Sequence, residues 1–169
     1  MGRGMARNLH KAGLLRTVWN RTTTRADELA AELGVVAAAN PAALARDCDV
    51  IVLCVAADAD VLAVVDALLP GLRAGALVID CSTVSADTAR EAARRLAARG
   101  GEFLDAPVSG GVEGARDGTL AIMAGGTESA FASAQPVLQV MGRTVTHFGP
   151  SGSGQAAKAT NQIMCAGVI

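Results

Sequence analysis

The chain has 169 residues, 51% of them hydrophobic and 18% charged, which leaves room for one folded domain with a sizeable core and excludes a disordered chain. Fifteen Lys and Arg against sixteen Asp and Glu give a formal charge of -1, so neither nucleic acid nor an anionic membrane is expected as a partner. No apolar stretch approaches the roughly 18 to 20 residues that span a bilayer, and the start lacks the order of a secretory signal, which points to the cytoplasm.

The opening "MGRGMARNLHKAG" reads as a helix: Met5, Leu9 and Ala12 form one apolar stripe, Arg3, Arg7 and Lys11 face away, and Gly13 stops it. "RTVWN" is then a short strand, and "TTTRADELAAELG" a threonine-capped helix closed by Gly34. "NPAALARDC" is a helical turn introduced by Asn40 and Pro41, and "DVIVLCVA" has the continuous apolar character of a strand buried on both faces. A helix over "DADVLAVVDALLPGL" and a strand in "GALVIDCST" follow, and Ser85 caps "ADTAREAARRLAARGG". "EFLDAPVSGG" reads as strand and loop, "LAIMAGG" as a strand, and Thr127 caps a helix through Met141. "RTVTHFG" is a last strand, and "GSGQAAKATNQIMCAGVI" starts a final helix. Strands alternating with helices of this length predict βαβ units in a parallel sheet wound on both faces. The glycine-rich "GPSGSG" before the last helix is the one candidate boundary, dividing 1–150 from 151–169.

Cys48, Cys54, Cys81 and Cys165 form no C-x-x-C pair, and His10 and His147 lie in no metal-like spacing. The cysteines are therefore read as reduced and structural, and no metal site is expected.

In a dinucleotide-binding fold the first unit is a strand, a G-x-G-x-x-G turn and a helix whose amides face the pyrophosphate. Here the helix is present without the strand. Gly2 stands where the third glycine of such a turn belongs, so the pattern predicts that a strand and two glycines, on the order of ten residues, are missing before Met1. About 20 residues past the glycines such folds read the ribose, with Asp or Glu for a 2′-hydroxyl and Arg for a 2′-phosphate. That point is "WNRTTT": Asn20 replaces the acid, Arg21 follows it, and Thr22 offers a hydroxyl. A guanidinium beside amide and hydroxyl donors suits a phosphate dianion, so NADP is favoured over NAD, with an ordinary exposed arginine as the plainer reading.

Three later segments, "DCSTVS", "DAPVSGG" and "GSGQAAKATNQ", together with "NRTTTRA", resemble the β-hydroxyacid dehydrogenase family, which includes 3-hydroxyisobutyrate dehydrogenase, tartronate semialdehyde reductase, glyoxylate/succinic semialdehyde reductase and, more distantly, 6-phosphogluconate dehydrogenase. The resemblance implies a Rossmann-type doubly wound α/β fold, lacking its first strand and the family's C-terminal all-helical domain. It implies cofactor contacts at Met1, Gly2, Cys54, Val55 and Thr83, alongside Asn20, Arg21 and Thr22. It also assigns Ser109, Gly110 and Gly111 to the substrate carboxylate and makes Lys158 the catalytic residue. Asn161 and Gln162, three and four residues on, share the Lys158 helix face and stand as candidates to bind substrate or hold the amine.

Elementary chemistry supports the lysine separately. Hydride transfer to a carbonyl leaves an alkoxide to be protonated, and the reverse needs an alcohol proton removed, so the group must change charge near neutral pH. A desolvated lysine can do this and an arginine cannot; only Lys11 and Lys158 stand among fifteen basic residues. The expected function is interconversion of a small 3-hydroxyacid and its semialdehyde or keto form, with homo-oligomerisation only in a full-length form and little turnover by this chain alone. The alternative is a non-catalytic dinucleotide-binding or assembly module on the same fold.

Overall fold

The computed structural model describes residues 1–167. Helix α1 (Gly2–Lys11) leads to the short strand β1 (Thr17–Val18), α2 (Thr23–Leu33) and β2 (Val36–Ala37), which pairs with β1 in parallel. Helix α3 (Pro41–Asp47) precedes β3 (Val50–Leu53), α4 (Asp58–Leu68) and β4 (Leu77–Asp80). Next come α5 (Ala86–Ala97) and β5 (Glu102–Asp105). Strands β3, β4 and β5 form a parallel ladder in which Leu53, Asp80 and Asp105 stand side by side at the C-terminal edge. After β5 come β6 (Val108–Ser109), α6 (Gly111–Asp117), β7 (Leu120–Ala124), α7 (Glu128–Met141), β8 (Gly142–His147) and α8 (Ser153–Ala166).

Side chains that alternate along β4 and β5 go to different cores, which is why Leu77, Val78 and Ile79 of β4 and Phe103 and Leu104 of β5 are all apolar, with acids only at the strand ends. Leu77, Ile79 and Leu104 pack with Met5, Leu9, Leu138 and Met141 from α1 and α7. Val78 and Phe103 pack on the other face with Val61, Val65, Ala89 and Leu96 from α4 and α5. A doubly wound α/β sheet results, as the alternation of elements predicts. A small third cluster, Val18, Leu29 and Ala30, holds β1 and β2 to α2.

Three caps read from the sequence form: the side chains of Asn40, Ser85 and Thr127 accept from the amides of Ala43, Thr88 and Ala130. Thr22 makes no such bond; its own amide donates instead to Asn20 Oδ1. The sheet is also not wholly parallel. The "PVSGG" stretch forms β6, antiparallel to β7, and β5 meets the end of β7 through an antiparallel bridge between Asp105 and Gly125. A two-residue strand and a helix beginning at a glycine carry too little periodicity to be seen in sequence, and α6 and β2 were missed for that reason.

Strand β1 pairs only with β2, and β3 only with β4, among the described residues. Between them lies a groove of about 430 Å³, walled by Thr17, Val18, Val50 and Val52 and floored by Met5 and Leu9.

All four cysteines are free. Cys81 is buried as a small hydrophobe would be, but Cys54 and Cys165 are exposed, so the apolar runs around them do not report their environment.

Candidate active site

The C-terminal edge of the sheet is organised by one carboxylate. Asp105 ends β5, fully buried, and its Oδ1 and Oδ2 accept from the amides of Gly152 (2.7 Å) and Gln155 (3.0 Å) at the start of α8. These are orphan donors of a helix N-terminus, and a negative group there also complements the helix dipole. Burial pushes the Asp105 carboxyl up from its ordinary value, while the amides pull it back. The helix can approach so closely because Gly154 has no side chain: a Cβ there would sit 2.3 Å from the Met123 carbonyl oxygen.

Gln155 extends the attachment sideways. Its Nε2 donates to the Ser82 carbonyl (2.9 Å), and its Oε1 accepts from the Val84 amide (3.2 Å). Ser82 Oγ in turn accepts from the Val55 amide (2.9 Å). One chain of hydrogen bonds therefore ties α8 to the loops after β4 and β3, which present Thr83, Cys54 and Val55. Beneath them Asp80 accepts from the Ser82 amide through Oδ1, while its Oδ2 is buried without a partner. Burial pushes this carboxyl up to about 6.

Lys158 follows one turn after Gln155 and is 7% exposed. Desolvation lowers its amine from the usual lysine range, the direction acid/base work requires. Its Nζ donates to Gln162 Oε1 (2.9 Å), so Gln162 holds the amine, while Asn161 is half-buried with no side-chain hydrogen bond among the described residues.

Ser109 ends β6 half-buried, opposite Ala121. Gly110 and Gly111 turn the chain into α6 with φ of 131° and 65°, left-handed values that a side chain would strain. No side-chain hydrogen bond joins this loop to Lys158 among the described residues.

At the other end of the sheet, Asn20, Arg21 and Thr22 line a second cavity of about 410 Å³ at the strand ends of β1 and β3, together with Arg25, Val55 and Asp60. Arg21 Nη1 contacts Asp60 Oδ1 at 2.9 Å. Two guanidiniums in one concave corner fit a phosphate ester on a ribose. Met1 is exposed at the mouth of α1. Gly2 opens α1 beside the end of β3, where a Cβ on it would meet only Cys54 at 3.7 Å, an ordinary contact. Gly4 lets α1 pack closely on α6, since a Cβ there would lie 2.8 Å from the Ala115 carbonyl oxygen.

Sequence reasoning passed over Asp60, Ser82, Asp105 and Gln155. The partners of Asp105 and Gln155 lie 47 to 73 residues away in the chain, so no local spacing marks them. Among the described residues no group of three or more His, Cys, Asp or Glu side chains is gathered as a metal site, and no helix is long and apolar enough to cross a membrane.

A doubly wound sheet with these loops gathered at its C-terminal edge is a dinucleotide-binding domain of the Rossmann type. The sequence profile of the NAD binding domain of 6-phosphogluconate dehydrogenase matches residues 1–149. The mitochondrial 3-hydroxyisobutyrate dehydrogenase of Drosophila melanogaster is 40% identical over 98% of this chain and 51% of its own length. An NAD-dependent L-serine dehydrogenase of Pseudomonas aeruginosa is also 40% identical, over 98% of this chain and 56% of its own. The structure of Mycobacterium tuberculosis 3-hydroxyisobutyrate dehydrogenase with L-serine superposes with a TM-score of 0.92 at 39% identity, covering 98% of this chain and 57% of that one. The chain belongs to the β-hydroxyacid dehydrogenase family and carries its NAD(P)-binding domain, spanning about half the length of these relatives.

Proposed function

We propose that this chain is the dinucleotide-binding part of an NADP-dependent oxidoreductase of the cytoplasm that interconverts a small 3-hydroxyacid and its semialdehyde or keto form. Residues 1–150 form the cofactor domain, and the segment 151–169, whose last two residues lie outside the described ones, contributes α8 with the catalytic lysine. When bound, the nicotinamide supplies or accepts the hydride. The chain's own residues do the rest. Lys158 takes the alcohol proton in oxidation and returns it to the nascent alkoxide in reduction; Gln162 positions the amine, leaving Asn161 to meet the substrate hydroxyl. Ser109 and the amides of Gly110 and Gly111 bind the substrate carboxylate. Arg21, Asn20 and Thr22 receive the 2′-phosphate, while Thr83, Cys54, Val55, Gly2 and Met1 border the rest of the dinucleotide. Turnover requires a helical partner domain that also supplies the homo-oligomer contact, so the 169 residues alone turn over little or nothing.

The observation that carries this reading is a buried lysine with a lowered amine, on a helix bonded through Gln155 and Ser82 to the proposed cofactor loops. A chimera tests it: residues 1–169 replacing the matching part of the Drosophila relative, assayed with 3-hydroxyisobutyrate and NADP or NAD. Lys158→Met should lower kcat/KM by about 10²- to 10⁴-fold, the usual weight of a general acid/base, with NADP affinity retained. Turnover within twofold of the parent chimera would remove Lys158 from the chemistry.

A further inference from the structure

We propose that Asp60 sets how strongly this site discriminates a 2′-phosphate from a 2′-hydroxyl, an inference that rests on the assignment of Arg21 to the 2′-phosphate. The position where such folds commonly carry an acid is occupied by Asn20, and the fold brings a carboxylate to the same corner from another element. Asp60 lies in the first turn of α4, where the helix N-terminus favours an anion. Asp58, two residues earlier, is already committed: its Oδ1 accepts from the Ser85 amide (2.9 Å) and the Thr88 hydroxyl (2.6 Å), which holds its carboxyl down at about 2. Asp60 is thus the carboxylate of that turn free to face the cavity, and it holds Arg21.

The two partners are unequal. The Arg21 side chain is 82% exposed and that of Asp60 28%, so the carboxylate is the fixed member and the guanidinium the one that can swing away. A ribose 2′-hydroxyl can enter without disturbing the pair and can donate to Asp60. A 2′-phosphate must draw Arg21 off Asp60 and then lie near an uncompensated negative charge, with Arg25 as the remaining cation of the corner. Asp60 therefore lowers affinity for the phosphorylated ribose selectively and makes the corner tolerant of both dinucleotides.

The test uses ligands that need only this corner. Adenosine 2′,5′-bisphosphate and adenosine 5′-monophosphate are titrated into the 15N-labelled 169-residue chain and into Asp60→Asn and Arg21→Ala, at low and high salt. Spectral dispersion verifies folding of these surface variants. Asp60→Asn should tighten the bisphosphate about five- to tenfold, change the monophosphate less than twofold or weaken it, and lose much of its gain at high salt. Arg21→Ala should bring the two ligands within about twofold of each other. If Arg21→Ala acts as stated but Asp60→Asn shifts both ligands equally or neither, the role of Asp60 is overturned and the NADP assignment stands. If Arg21→Ala leaves the ratio unchanged, or neither ligand binds any of the three proteins, both are overturned.

Discussion

Around Asp105, helix α8 meets the ends of β4 and β5 through buried hydrogen bonds that continue, through a part-buried one, from Gly152 to Val55. Around Arg21, the β1 corner meets α4 through one ion pair whose arginine is mostly in water. Both regions lie at C-terminal strand ends, Asp105 on β5 and Arg21 just past β1, and each is assigned to part of one proposed site. The first fixes geometry, because each buried donor would lose a partner if the helix shifted. The second fixes charge, which can be rearranged at little cost because exposed pairs contribute little to stability. The proposed reaction chemistry and the proposed ligand choice thus rest on supports of very different stiffness.

The contrast can be broken most severely at Gly154. Gly154→Ala would drive a Cβ into the Met123 and Asp105 carbonyls, so α8 cannot seat, and a loss of about 4 kcal/mol or more is expected in chemical denaturation. Asp105→Ala should come next, at about 2–4 kcal/mol, because two buried amides lose their acceptor. Asp105→Asn, which keeps one acceptor oxygen, should cost less.

Asp80→Asn acts in the opposite direction. Because the Asp80 carboxyl stands near 6 in the folded chain instead of its ordinary 3.8, the native state keeps a proton that the unfolded state has already lost between those values. Its contribution therefore falls as pH rises from about 4 to 6 and stays unfavourable above. The asparagine variant should be more stable at pH 7 by on the order of 2 kcal/mol, with the advantage vanishing near pH 4. Thermal melts at both pH values measure it. At the far end of the scale, Arg21→Ala should leave the denaturation midpoint unmoved, and a clear loss there would mean the corner is structural after all.

How much of this was legible beforehand follows from the range of each signal. The helix stripe of Met5 and Leu9, the buried strands around Ile51 and Ile79, and the caps at Asn40, Ser85 and Thr127 are local patterns, and all of them form. Lys158 and the Gly110–Gly111 turn were visible as motifs. The seat of α8 was not, because Asp105 lies inside a motif read only for its serine and glycines. Gln155 resembles any polar helix residue until its partners 71 and 73 residues away are known. Asp60 was hidden for the same reason, since its meeting with Arg21 spans 39 residues.

The exposure of Arg21 has a consequence for how the corner can be altered. The unit of β1, β2 and α2 is attached to α1 by its own packing, Val18, Leu29 and Ala30 against Ala6, and by the ion pairs Arg3 with Glu28 and Arg7 with Glu32. Arg21 and Asp60 meet outside that attachment, with the arginine mostly in water. Charge beside the sugar can therefore be edited one residue at a time without disturbing the scaffold that carries it.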